Sequence, residues 1–125
     1  MKILLSFNSS WNLINFRQEI IKKLLINNEL IVAIPNDNHF NDVLKLNLKI
    51  KIIKINISRK SFKLIENFKT LFDYIKIIIL NKPDIIMLYT IKPNIFGSIA
   101  TFLLFKKISI YNFITGLGTF YFENN

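Results

Sequence analysis

Residues 84–100, DIIMLYTIKPNIFGSIA, decide the fold. Ile85, Ile86, Met87 and Leu88 form an unbroken apolar run, too short to span a membrane, as suits a central parallel strand covered on both faces. Thr90, Lys92 and Asn94 then interrupt the run. Pro93 suits the first position of a helix, where its missing N–H costs nothing and its fixed φ is already helical. In an open α/β sheet, ligands sit beyond the carboxyl ends of the strands where strand order reverses, so this turn is the first place to look for a site.

Working outward, residues 2–7 form a short apolar strand, followed by the polar cluster Asn8, Ser9, Ser10, Trp11 and Asn12 and then a helical pattern. Strand, loop and helix open a βαβ unit. On that helix Phe16, Ile20 and Leu24 recur at helical spacing, flanked by Leu13, Ile21 and Leu25, and Arg17 falls inside this apolar stripe. A core-facing arginine needs an anionic partner, because an unpaired buried charge is strongly destabilising. Two partners fit: a buried carboxylate, or a ligand phosphate beyond the sheet edge, which the nearby helix N-terminus also favours.

Residues 30–34 read as the second strand, closed by Pro35, Asn36 and Asp37. A short helix over residues 39–46 follows, with Asn47 as its left-handed end in place of glycine. His39 begins this helix, and a solvated cap residue is its ordinary role; a catalytic base is the alternative. Residues 48–57 alternate lysine with isoleucine in part, the pattern of an edge strand, and lead into the basic turn Ser58, Arg59, Lys60 and Ser61. Residues 63–81 read as the longest helix, with Leu64, Phe68, Leu71, Phe72 and Ile75 on the expected core face, ended by Asn81, Lys82 and Pro83. A helix over 93–105, a strand over 108–113 and the glycine-containing turn Thr115, Gly116, Leu117, Gly118, Thr119 complete the pattern. Five strands with four intervening helices and right-handed crossovers predict an α/β, Rossmann-like, doubly wound parallel sheet in the order 3-2-1-4-5. That order brings Ser9, Ser10, Trp11, Asn12 and Arg17 near Tyr89, Thr90, Lys92 and Asn94, with residues 115–118 on the flank.

Composition sets bounds. The 125 residues are one domain's length, enough to bury about two thirds of the unfolded chain's surface. The 51% hydrophobic content excludes disorder, and the formal net charge of +9 marks a strongly basic protein. That charge is nearly all lysine, in a chain also rich in isoleucine and asparagine, so codon bias, an anionic membrane surface and nucleic acid are all readings of it. Nucleic acid is the weakest, because Phe16 and Phe68 fall on expected core faces instead of between exposed cations. With no cysteine and one histidine, a disulfide framework is excluded and no metal is expected. The first apolar run ends at Ser6, far short of a signal-peptide core, and the uncharged stretch 93–105 is too short to cross a bilayer, so a cytoplasmic protein, peripheral to a membrane at most, is expected.

The expected cluster holds amides, hydroxyls and cations but no paired carboxylates and no nucleophile beside a base, so it is a binding site in type and no catalytic residue is assigned. Neither a dinucleotide fingerprint nor a Walker A sequence is present, and Gly116-Leu117-Gly118 alone is equally well an ordinary tight turn.

Three stretches together, KILLSFNSSWNLINFR, PDIIMLYTIKPNIFGSIA and YNFITGLGTF, resemble the N-terminal domain of family 4 glycosyltransferases of the GT-B fold, across essentially the whole chain. Within that family they are most similar to bacterial enzymes acting on lipid-linked oligosaccharide precursors of glycans, O-antigen or capsule. The resemblance implies the N-terminal, acceptor-side half of a GT-B fold, in which two Rossmann-like domains face each other across a cleft. It implies a nucleotide-sugar co-substrate held mainly by the other domain, no further cofactor, a lipid-linked glycan acceptor and an anionic membrane surface as partners, and no nucleic acid. By position it places Ser10, Trp11 and Asn12 at the loop closing on donor phosphates and acceptor. Asn15 and Arg17 match the family's N-F-R, Thr90, Lys92 and Asn94 its T-x-K-P-N, and Thr115, Gly116 and Gly118 its cleft-side T-G-L-G. Many relatives outside this subgroup carry a histidine just after strand five; none stands there in this sequence. Family members continue into a donor domain with a Glu-x7-Glu motif. The expectation is therefore a domain incomplete at its C-terminus, unable to transfer sugar alone: part of a longer enzyme, one half of a split enzyme with a separate donor-binding chain, a recruiting subunit, or a remnant.

Overall fold

The computed structural model describes residues 1–57, 63–104 and 107–114. Five parallel strands, β1 (Lys2–Ser6), β2 (Glu29–Ile34), β3 (Lys51–Lys54), β4 (Ile85–Tyr89) and β5 (Ser109–Phe113), form one sheet in the order β3-β2-β1-β4-β5, the predicted topology. β1 is the hinge of that order. Leu4 pairs with Ile31 of β2 on one side and Ile86 of β4 on the other. At the amino end Lys2 and Asp84 lock this pairing twice, Lys2 N–H donating to Asp84 Oδ2 at 2.9 Å and Asp84 N–H to the Lys2 carbonyl at 2.8 Å.

Strand side chains alternate between two apolar layers, as a period of two requires. Leu5, Phe7, Val32, Met87 and Tyr89 face the first helical layer, where they meet Leu13, Ile21, Phe40 and Val43. That layer comprises α1 (Ser10–Asn12), a π-helical turn over Leu13–Arg17, α2 (Gln18–Leu25) and α3 (Phe40–Lys45). Leu4, Ile31, Ala33, Ile86 and Leu88 face the opposite layer, formed by α4 (Leu64–Asn81) and α5 (Ile91–Leu103), and meet Tyr74, Ile77, Ile78 and Ala100. Gly97 lets α5 lie tight on β4, because a Cβ there would stand 2.6 Å from a methyl of Leu88.

Three sequence expectations are corrected. The first concerns Phe16, which is 61% exposed and not in the core. The π turn carries an extra residue, which rotates the positions upstream of it by about 100° relative to an unbroken helix. Leu13 therefore faces the sheet and Phe16 does not. The second concerns α4, whose buried positions are Thr70, Tyr74, Ile77, Ile78 and Asn81, while Leu64, Phe68 and Phe72 are exposed. Its inner face is fixed by hydrogen bonds that apolar periodicity does not register: Thr70 Oγ1 donates to the Asn56 carbonyl, and Asn81 accepts from Lys51 Nζ at 2.8 Å. Burial of Phe16 and Phe68 thus no longer argues against nucleic acid. The third is β3, shorter than the ten residues of 48–57 at 4 residues, although it is the expected edge strand. Smaller differences are that α5 begins at Ile91, placing Pro93 inside the first turn instead of opening it. Asn47 is left-handed as expected, with φ 53°, and Lys82 ends α4 in the same way at φ 48°. The basic turn at 58–61 lies outside the described residues.

A buried relay ties α4 to the centre of the sheet. The Ser6 hydroxyl donates to the Ala33 carbonyl at 3.1 Å, so its single proton is committed, and the Tyr74 hydroxyl 2.6 Å away is the donor to Ser6 Oγ. Burial pushes the Tyr74 hydroxyl well above its ordinary value. A folded-state pKa raised above the unfolded value gives stability that is complete below about pH 10 and lost as pH rises further. Urea titrations at about pH 8 and about pH 11 are expected to show a smaller loss of stability across that interval in Tyr74→Phe than in the wild type, with Tyr74→Phe less stable by about 1 kcal/mol at the lower pH.

Candidate functional site

The chain leaves β1 and β4 on opposite faces of the sheet, and a crevice opens between their carboxyl ends. Its floor is a row of aromatic rings. Phe7 just beyond β1, Tyr89 on β4 and Phe113 on β5 stand side by side, with centroids 4.8 Å apart for Phe7 and Tyr89 and 4.5 Å apart for Tyr89 and Phe113. Arg17, at the end of the π turn, lays its guanidinium 4.6 Å from the Tyr89 ring centroid. Of the two partners the sequence left open for Arg17, no carboxylate among the described residues takes it. The π turn aims the arginine across the sheet edge, and the Tyr89 ring supports its flat face.

Thr90 turns the chain out of β4 with φ 71° and ψ 174°, a conformation costing a side-chain-bearing residue about 1–3 kcal/mol and concentrated at functional sites. Asn94 holds this turn. Its Nδ2 donates to the Thr90 carbonyl at 2.6 Å and the Phe113 carbonyl at 3.0 Å, which fixes the amide orientation and turns Oδ1 away from both. The N-terminus of α5 thus opens on the crevice, where its partial positive charge favours anions.

The expected site residues fall into distinct groups. Arg17 lies over Tyr89, Asn94 bonds the Thr90 carbonyl just beyond β4, and Asn12 stands in α1 just beyond β1. Ser10 is committed to the fold: its N–H donates to Asp37 Oδ2 at 2.9 Å and its hydroxyl to the Pro35 carbonyl at 3.3 Å, while Ser9 Oγ caps the Asn12 N–H at 3.1 Å. Asn15 bonds back to the Trp11 carbonyl at 2.9 Å on an exposed face. Trp11 is half-exposed and meets the exposed Phe16 edge to face at 5.3 Å. Lys92 is buried at 9% exposure in the first turn of α5 and is engaged within the protein. Thr115, Gly116 and Gly118 lie outside the described residues. Beside the crevice, at the ends of β2 and β3, a cavity of about 510 Å³ is lined by Pro35, Asp37, Lys54, Asn56 and Asp73, among others. His39 is exposed at the N-cap position of α3.

Among the described residues, five buried side-chain polar atoms have no hydrogen-bond partner, and four belong to Tyr89 and to the segments that follow β1 and β4: Asn12 Oδ1, Arg17 Nε, Tyr89 OH and Asn94 Oδ1. Buried polar groups are nearly always paired, so this concentration of orphans is informative. It comprises one cationic donor, one hydroxyl that donates or accepts, and two amide acceptors, which together suit a phosphate bearing a hydroxylated group. Tyr89 is the residue that the sequence placed at the strand ends without giving it a binding role. It is 1% exposed, and burial raises its hydroxyl above the ordinary tyrosine value against the opposing pull of Arg17, keeping it a neutral donor. Its signal in the sequence is a tyrosine ending an otherwise aliphatic strand. No group of histidine, cysteine, aspartate and glutamate among the described residues is placed to hold a metal ion.

The profile of the glycosyl transferase 4-like family matches residues 2–125. No curated protein matches the chain. Among solved structures, UDP-GlcNAc 2-epimerase from Neisseria meningitidis bound to UDP-GlcNAc superimposes with a TM-score of 0.68 at 21% identity, covering 90% of this chain and 32% of that one. MurG from Acinetobacter baumannii superimposes with a TM-score of 0.65 at 19% identity, covering 90% and 34%. The chain thus spans about a third of the length of these structures, and at such identities the likeness establishes the shared fold.

If the Tyr89 hydroxyl serves a ligand and not the fold, Tyr89→Phe keeps the ring stack and removes an orphan. Its urea-unfolding free energy is expected to equal the wild-type value or exceed it by up to about 1–3 kcal/mol. A clear loss of stability would make the hydroxyl structural.

Proposed function

The chain belongs to the glycosyl transferase 4-like family, and from that premise we propose that it is the acceptor-side domain of a glycosyltransferase. In this reading the complete assembly moves a hexose-type sugar from a nucleotide-sugar to a polyprenyl-linked or glycan acceptor in cell-surface polysaccharide synthesis. A donor-binding domain, in the same polypeptide or a separate chain, holds most of the nucleotide-sugar, and no other cofactor is needed. Work on a lipid-linked acceptor places the protein peripherally on the inner face of the cytoplasmic membrane.

The observation that carries this reading is the cluster of four unpartnered buried polar atoms at the β1 and β4 ends. A sugar linked through phosphate supplies what each of them lacks. Phosphate oxygens accept from Arg17 Nε and from the Tyr89 hydroxyl, with the α5 N-terminus adding its field. Sugar hydroxyls donate to Asn12 Oδ1 and Asn94 Oδ1. The exposed Trp11 and Phe16 rings suit the apolar face of a sugar ring or the first units of a prenyl chain. Lys92, engaged within the protein, contributes positive charge from inside the first turn of α5. One epimerase structure with this fold is bound to UDP-GlcNAc, which supports a nucleotide-sugar as one of the partners.

Calorimetric titration of a short-chain prenyl pyrophosphoryl N-acetylglucosamine into the wild-type chain and Arg17→Ala tests the site. Arg17→Ala is expected to fold normally and bind about tenfold to a hundredfold more weakly, the range for losing a charged hydrogen bond. Equal affinity in the two proteins, or an unfolded Arg17→Ala, would contradict the assignment.

A further inference from the structure

In a doubly wound fold the outer side of a helical layer is ordinarily polar and solvated. The α4–α5 layer departs from this. α4 turns Thr70, Tyr74 and Asn81 to the sheet and exposes Ile65, Phe68, Phe72 and Ile79. On α5, Ile91, Ile95 and Ile99 are exposed at successive turns, opposite the buried Pro93, Gly97 and Ala100. The two helices pack side by side, so their outer faces form one apolar surface directed away from the sheet. Contiguous exposed apolar area of this kind marks an interaction site.

The spacing identifies the kind of partner. Ile65, Phe72 and Ile79 recur every seven residues, and Phe68 and Ile75 follow the first two of them by three. This is the repeat by which one helix packs on another, each side chain entering a gap in the facing helix. A second copy of the chain brings a matching row, its Ile91, Ile95 and Ile99 at four-residue intervals, the ridge that fits such gaps when helices pack nearly parallel. The area is also sufficient. With roughly half of each exposed side chain open and about 200 Å² to a side chain of this size, the face offers about 750 Å², close to the roughly 800 Å² that each partner gives to a standard interface.

Charge selects the arrangement. Asp73 accepts from the Asn56 N–H at 2.8 Å, so that flank of α4 looks to the β3 edge and the other flank to α5. Lys69 and Lys76 are exposed and lie between Phe72 and the Asp73 flank, on the side away from α5. Packing α4 on the α4 of a second copy in antiparallel fashion would bring the two lysine rows together. Packing α4 on the other copy's α5 sets each row at the rim, beside a helix whose one charged residue, Lys92, is buried.

We propose that the outer face of α4 and α5 is a homodimer interface, in which α4 of each copy packs on α5 of the other about a two-fold axis parallel to the helices. The proposal goes beyond the glycosyltransferase reading and holds whatever ligand the crevice takes. An axis in this direction leaves both crevices opening toward the same end of the dimer.

The test is the molar mass of the 125-residue chain by analytical ultracentrifugation across the micromolar range. Interfaces of this size give micromolar or tighter association, so the wild type is expected to be a dimer at the upper end of that range. Phe72→Glu and, on the other helix, Ile95→Glu are expected to weaken the dimer on the order of a hundredfold with unchanged circular dichroism spectra, because each places a charge in both halves of the interface. Ile26→Glu, the same change at an exposed position closing α2 on the other helical layer, is expected to leave the dimer intact. The sequence has no cysteine, so Lys69→Cys mixed with Lys76→Cys under mild oxidation reports the arrangement, and no disulfide between the two variants is expected. A wild type that is monomeric throughout, equal weakening by Phe72→Glu and Ile26→Glu, or rapid disulfide formation in the mixture would overturn the proposal. So would a monomeric chain that uses Phe72 to bind phosphatidylglycerol vesicles or an oligonucleotide.

Discussion

The structure depends on the pairing of β1 with β2 on one side and β4 on the other. Because both pairings are parallel, each needs a crossover, and right-handed crossovers send the two helical layers to opposite faces. The chain that rises from β1 turns to one face and the chain that rises from β4 to the other, so neither α1 nor α5 closes the gap between the strand ends. The lock between Lys2 and Asp84 at the opposite end holds the register that sets Phe7 beside Tyr89. The crevice is therefore a consequence of topology, and its floor a consequence of register.

What fills that crevice is costly to the folded chain by itself. Thr90 sits in a backbone conformation that disfavours any side chain, and buried polar atoms of Asn12, Arg17, Tyr89 and Asn94 lack partners. Each such feature opposes folding by about 1–3 kcal/mol. They persist because the strands beneath are buried on both faces and over-determine the turn. In the proposed reading, a phosphorylated sugar relieves several of these penalties at once.

The topology was legible because its signals are local and strong: aliphatic runs for β1, β2 and β4, polar breaks after each, and helical lengths between them. The switch point between β1 and β4 followed from that topology, and Arg17, Thr90 and Asn94 lie on the segments beside it. Less local effects were not legible. Apolar periodicity assumes an unbroken α-helix, so a single π turn at Leu13–Arg17 misplaced Phe16. In α4 the same rule chose the more apolar side as the core, whereas Thr70 and Asn81 are drawn inward by hydrogen bonds to β3 and the chain beyond it, which no local pattern encodes. Tyr89 was placed at the strand ends but given no role, because a tyrosine ending a buried strand looks like packing until its hydroxyl is found without a partner. Ser10 looked like a ligand group and instead ties α1 to the loop after β2.

The central claim is that Arg17 Nε, supported by the Tyr89 ring, awaits a phosphate oxygen. The sequence has only two arginines, Arg17 and Arg59, so the side-chain Nε–H signals in a nitrogen-15 NMR spectrum are few enough to assign. Titration with a short-chain prenyl pyrophosphoryl sugar is predicted to shift the Arg17 Nε–H proton downfield and slow its exchange with water, with the Arg59 signal unmoved. An Arg17 signal unchanged at saturating ligand, or equal shifts at both arginines, would contradict the account.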